Sequence, residues 1–300
     1  MNVKSVLTNN VTNITEYKVR IVKICSKILP MEMFGYLASV IIGVSLGLIG
    51  GGGSILTVPV LVYLFHIEPI TATAYSLFIV GSSSLVGAVP KYKQGNVNVK
   101  TAIIFGIPSI IAVFATRKWI VPSIPTIVLE WGNWVFTKSL LLMLLFAILM
   151  VVASFSMIRS RNQQKEELVE PQVFNYPMIF LEGMLVGILT GLVGAGGGFL
   201  IIPALVMLSK LPMKQAVGTS LVIISAKSLI GFTGDLQTQI IDWNLLLTVS
   251  FLAIAGIFIG DRLSKNIDGT LLKKSFGWFI LFMGVFIILQ QLFFPLNNQH

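Results

Sequence analysis

Four consecutive glycines, Gly50-Gly51-Gly52-Gly53, stand inside an apolar block that runs from about Phe34 to Phe65. The block is too long for one straight span of ~20 residues. Each glycine in a helix interior costs several tenths to ~1 kcal/mol. The block therefore reads as a helix, a non-helical break and a shorter second helix containing Pro59. The same arrangement returns 144 positions later, with Gly194-Ala195-Gly196-Gly197-Gly198 at the break and Pro203 after it. At that shift Gly47 and Gly50 lie on Gly191 and Gly194, and Gly52 and Gly53 on Gly196 and Gly197. Ala72 falls on Ala216, Ser76 on Ser220, Ser84 on Ser228 and Gly87 on Gly231, with no gap from Gly43 to about Val99. Apolar sequences match one another by composition alone. Shared glycine, proline and serine positions do not arise that way, so the pattern indicates an internal duplication.

Composition fixes the solvent. Hydrophobic residues make up 55% and charged residues 11%, with mean hydropathy +0.89, against ~25% charged in a soluble domain. A lipid bilayer is the expected environment, which excludes a soluble enzyme and a disordered chain. The net charge of +9 comes from basic residues in short loops between apolar runs, so cationic membrane loops explain it better than nucleic-acid binding. Cys25 is the only cysteine, which excludes an internal disulfide. With only His66 and His300 besides, no metal site or cofactor is expected.

Further spans are expected at 71–90, 101–118 and 138–158, then at 213–233, 243–260 and 275–294, following a second broken block at 178–209. The fold class is an all-α polytopic membrane protein of two homologous halves, each with a glycine-broken first helix plus three spans. The organisation reads as a tail (1–30), a first repeat (31–158), a polar linker (159–176), a second repeat (177–294) and a short tail (295–300). Basic loop residues divide almost evenly between the two sides, so the positive-inside rule does not orient the chain. The second helix of each broken block is about 13 residues, ~20 Å long. That falls short of the ~30 Å hydrocarbon core and favours hairpins and inverted repeats.

A duplicated bundle broken at the same place in each half suggests a secondary transporter. The blander reading is that glycines merely let helices pack closely, but spaced glycines would serve that end. Backbone amides at a helix start lack intrahelical partners and carry partial positive charge, which suits an anion. The amides of Gly51, Gly52, Gly53 and Ser54 and those of Ala195, Gly196, Gly197 and Gly198 are the candidate donors. Lys227 lies inside a span, where a charge costs at least ~2.5–3.5 kcal/mol and commonly marks a pathway. Snorkelling toward Gly234-Asp235 is its alternative. Ser76, Ser83 and Ser220 are secondary donors, with Ser83 at the position equivalent to Lys227, although serines also serve helix packing. Glu182 reads as a helix-end residue with a proton relay as the alternative, and Asp261-Arg262 as a loop ion pair.

These residues resemble the TauE/SafE sulfite-exporter family, also called TSUP permeases. The resemblance rests on Gly47 to Ser54 followed by Pro59, on Gly191 to Gly198 followed by Pro203, and on Ala216 to Leu221, Gly231 to Asp235 and Ile241 to Trp243. It covers about 34–294. The first half departs from it at Lys91-Tyr92-Lys93, where the second has Asp235-Leu236-Gln237. The resemblance implies a multi-pass plasma-membrane permease for sulfite, sulfonates or related small anions, commonly moving them outward, with a coupling proton or other ion. The expected function is transport of a small anion by alternating access. An anion channel on the same scaffold is the alternative, and the sequence carries no signature of oligomeric state.

Overall fold

A computed structural model describes residues 33–131, 134–159, 176–194, 196–207, 211–236, 239, 241–264 and 269–293. Helix α1 (Met33–Ile49) is followed by a tight 3-10 turn at Gly51–Gly53 and by α2 (Ser54–Tyr63). Helices α3 (Pro69–Lys93) and α4 (Val99–Ser123) come next, the latter with a π turn at Thr116–Ile120. A two-stranded antiparallel hairpin, β1 (Ile127–Trp131) and β2 (Trp134–Thr137), precedes α5 (Lys138–Arg159). Then follow α6 (Tyr176–Val193), α7 (Gly198–Met207), α8 (Met213–Thr233), α9 (Trp243–Ser264) and α10 (Gly269–Phe293).

Among the described residues, five helices (α3, α4, α5, α8 and α9) are long and apolar enough to cross a membrane. The chain is thus a helical, polytopic membrane protein. Two features depart from the expected spans. The hairpin forms in a stretch read as loop, where Ile127-Val128-Leu129 and Trp134-Val135-Phe136 favour extended backbone. In addition, α4 continues past the expected end at 118 to Ser123, so Arg117 stands within the helix rather than at its end.

Local signals set the helix ends. Pro69 occupies the first turn of α3, where its missing N–H costs nothing. Gly95, at φ +72°, follows the end of α3, as a left-handed C-terminal residue does. The Asn98 side chain accepts from the Thr101 amide at 3.0 Å and starts α4. Asp242, 144 positions later, accepts from the Leu245 amide at 3.2 Å and starts α9.

Helices α3 and α8 form the centre. In their apolar windows 72% and 67% of positions are buried, against 39% in α5 and α9. The two helices are antiparallel: Gly81 packs on Leu229, Gly231 meets Leu77, and Gly218 meets Asn96 and Lys91. Around them, α4 and α6 join through a stripe of small residues. Gly183 sits on Phe105 and Pro108, Gly187 on Ser109 and Ala112, and Gly191 on Thr116. Helices α1 and α9 join in the same manner, with Gly43 on Ala253, Gly47 on Gly260 and Gly256 on Val40. Such small-residue seams let backbones approach where lipid removes the hydrophobic drive for helix association. The outer faces carry exposed Ile103, Ile107, Ile111, Phe251 and Phe258, at the spacing of a lipid-facing stripe.

Both glycine segments reverse the chain. In a continuous helix, residues seven apart are ~10.5 Å apart. Gly53 nevertheless packs directly on Leu46, and Gly197 on Thr190. The reversal carries α2 back along α1, so that the Phe65 ring meets Tyr36, at the start of α1, with centroids 5.3 Å apart. The segment from 33 to 65 is a hairpin whose two ends lie at one end of the bundle.

Candidate functional site

The two glycine turns meet. Gly51 and Gly198 pack backbone to backbone, each filling the space where the other would place a Cβ. Helix α1 first carries Gly50 toward the start of α8, beside Val217 and Ser220. Helix α6 carries Gly194 toward the start of α3, beside Thr73. From these opposite ends the chain turns inward, and Gly196 lies against Val80 and Ser228, near the middle of α3. Only glycine fits this route: Gly194, Gly196 and Gly197 have φ of +74°, +62° and +66°, a region that L side chains avoid.

The candidate donors fall into different situations. Gly51, Gly52 and Gly53 form the 3-10 turn ahead of α2. The Ser54 amide and its hydroxyl both donate to the Gly51 carbonyl, the hydroxyl at 2.7 Å. In the other turn, the ladder of α7 begins with the Leu200 and Ile201 amides, both donating to Gly197 at 3.0 Å. The amides of Gly197 and Gly198 precede that ladder. Ala195 lies outside the described residues.

Lys227 is fully buried in the fourth turn of α8. Its ammonium donates to Thr190 Oγ1 at 3.1 Å and lies 2.7 Å from the point where Gly197 would carry a Cβ. It therefore points to the second glycine turn and away from the helix end that snorkelling would require. Ser220 lies beside Gly50 and donates to the Val217 carbonyl at 2.8 Å. Ser83 donates to the Ile79 carbonyl at 2.6 Å. Ser76 is buried one helical turn from Thr73, and its hydroxyl has no hydrogen-bond partner among the described residues. The same holds for Ser84 and for Ser228, which borders Gly196. Buried hydroxyls are nearly always bonded, so these oxygens are available to something further.

Sequence reasoning missed Arg117. It is fully buried, donates to Thr73 Oγ1 at 3.0 Å, presses on Gly194 and pairs with Asp235 at 3.4 Å. Burial pushes the Asp235 carboxyl up, and the Arg117 guanidinium pulls it back down. Asp261 does not pair with Arg262 as expected. It pairs with Lys91 at 2.6 Å, because adjacent residues on a helix do not face each other. Glu182 stands in the second turn of α6, and its buried oxygens have no hydrogen-bond partner among the described residues.

A probable membrane transporter protein of Xylella fastidiosa (strain 9a5c) is 27% identical over 252 residues, covering 83% of this chain and 91% of its own. The Bacillus subtilis probable membrane transporter protein YdhB is 27% identical over 235 residues, covering 78% and 91%. A probable membrane transporter protein of Methanocaldococcus jannaschii is 32% identical over 117 residues, covering 37% and 44%. No solved structure matches the chain significantly. The sequence profile described as "Sulfite exporter TauE/SafE" matches residues 36–287, and the chain belongs to that family of membrane transporters.

Proposed function

We propose that this protein is a secondary transporter of small anions, built from two inverted copies of one unit, and that the anion is held where the glycine turns cross. The observation that carries the reading is the packing of Gly51 on Gly198 with the Lys227 ammonium beside Gly197. Two helix starts then converge on one point, and their amides and dipoles favour negative charge there. Lys227 supplies a positive charge beside Gly197, and Ser76, Ser84 and Ser228 supply hydroxyls. Irregular backbone at bilayer depth is tolerated where it is buried or lines a polar cavity, and transporters place such half-helix starts at their substrate sites.

The inverted repeat is supported by paired contacts at a shift of 144. The Asn98 amide donates to Thr219 Oγ1 at 2.9 Å, and the Asp242 amide donates to the Tyr75 hydroxyl at 2.5 Å. Positions 98 and 75 become 242 and 219 under that shift. Gly43 on Ala253 has its counterpart in Gly187 on Ser109, and Gly47 on Gly260 in Gly191 on Thr116. Since α3 and α8 are antiparallel, the equivalence inverts one half against the other. Sulfite, sulfonates and related acids are the proposed substrates, on the strength of the family description.

The test is flux of labelled sulfite, sulfate and taurine-like sulfonates in proteoliposomes, with and without a proton gradient. Saturable flux of one of them, stimulated by the gradient, supports a coupled transporter. Unsaturable flux faster than ~10³ s⁻¹, above common turnover rates, would assign a channel.

A further inference from the structure

We propose that the ion pairs Lys91–Asp261 and Arg117–Asp235 are the two closures of the transport path, one at each end, opened in alternation. The inference rests on the inverted repeat argued above. Each pair joins one half to the other: both cations come from the first half and both carboxylates from the second. Under the shift of 144, position 91 becomes 235 and position 117 becomes 261. The two pairs are therefore one interaction repeated with its signs exchanged. A carboxylate stands at 235 where the first half has lysine, and at 261 where the first half has arginine.

Their places fit the role. Lys91 is in the last turn of α3, and Arg117 is bonded to Thr73 near its first turn. Eighteen residues of helix separate these levels, ~27 Å. Each pair also abuts a glycine turn. Arg117 presses on Gly194, while the Asp261 backbone meets Gly47, which leads into Gly50. Separation of either pair would release one turn toward one end, while the other pair still holds the halves together. The pairs are not equally sealed: side-chain exposure is 14% and 19% for Lys91 and Asp261, and 0% and 3% for Arg117 and Asp235. The Arg117 end is the more tightly closed in this conformation.

The experiment uses the full chain with Cys25→Ser and a reporter, Ser228→Cys, beside Gly196. A membrane-impermeant maleimide is applied separately to each face of vesicles of known orientation. Lys91→Gln raises labelling from the Lys91 face alone by about threefold, as suits a pair near the accessible edge. Arg117→Gln raises labelling from the opposite face alone by about tenfold or more, since a buried pair loses more. The exchanged pairs Lys91→Asp with Asp261→Lys, and Arg117→Asp with Asp235→Arg, return labelling toward the parent level. If Arg117→Gln does not fold, Asp235→Asn is read in its place; if neither folds, the Lys91 pair carries the test alone. Equal changes from both faces, or no change in either variant, would overturn the proposal. Labelling needs no substrate, so absent anion flux defeats the proposed function and leaves this result standing.

Discussion

Gly51→Ala isolates the crossing of the glycine turns. An ideal Cβ on Gly51 lies 2.5 Å from the Gly198 carbonyl carbon and 2.7 Å from its oxygen. Gly198 Cα is nearer still, and carbon atoms in contact prefer ~3.5–4.0 Å, so one turn must retreat by more than ~1 Å. Both neighbours are backbone, which cannot rotate aside as a side chain can. Overpacking of this kind costs ~1–3 kcal/mol, or ~2–6 °C of melting temperature for a chain of this size. The same displacement moves the helix starts off the proposed anion. Gly106→Ala is the matched control. Its nearest neighbour is Ile223 Cγ1 at 3.8 Å, an ordinary contact, and loss of a mid-helix glycine stabilises by ~0.5–1 kcal/mol. Both variants are measured by thermal melting in detergent and by anion flux in proteoliposomes. A Gly51→Ala protein that melts and transports like the parent would refute the reasoning.

Other outcomes follow from single side chains. Lys227→Ala removes a charge-assisted bond worth ~1.5–3 kcal/mol, so anion affinity falls about 10- to 150-fold while the protein still folds; unchanged flux and selectivity would remove Lys227 from the site. Ser76→Ala deletes an unpartnered buried hydroxyl and is expected to raise the melting temperature while it weakens transport. Ser83→Ala, whose hydroxyl already bonds its own helix, leaves transport near the parent level, and a reversed order would contradict the assignment. Asn98→Ala and Asp242→Ala each remove a helix cap and cost about 1 kcal/mol, read as matched losses in melting temperature.

The spans were legible because apolar length is a strong signal in lipid. The expected 213–233 is the observed extent of α8, and 71–90 lies inside α3. The glycine runs were legible because no helix interior accepts four in a row. Lys227 stood out because a charge inside an apolar run is rare. Arg117 did not stand out, since a basic residue at the expected end of a span reads as an interfacial anchor. What buries it is Asp235, 118 positions away in sequence, and pairings of that range leave no local pattern. The partner of Asp261 was misread for the same reason, with Arg262 adjacent in sequence and Lys91 adjacent in space. Nor could composition show that Ser54 spends its hydroxyl proton on Gly51, which depends on the tightness of the turn.

The most direct measurement is the location of a bound anion. Selenite is a pyramidal trioxyanion like sulfite and contains an atom with strong anomalous scattering. Crystals grown with selenite should show one anomalous peak where Gly51–Gly53 crosses Gly196–Gly198, within hydrogen-bonding reach of Lys227 Nζ. That peak should vanish in Lys227→Ala and on competition with sulfite. A peak elsewhere in the bundle, displaced by sulfite and indifferent to Lys227, would contradict the account.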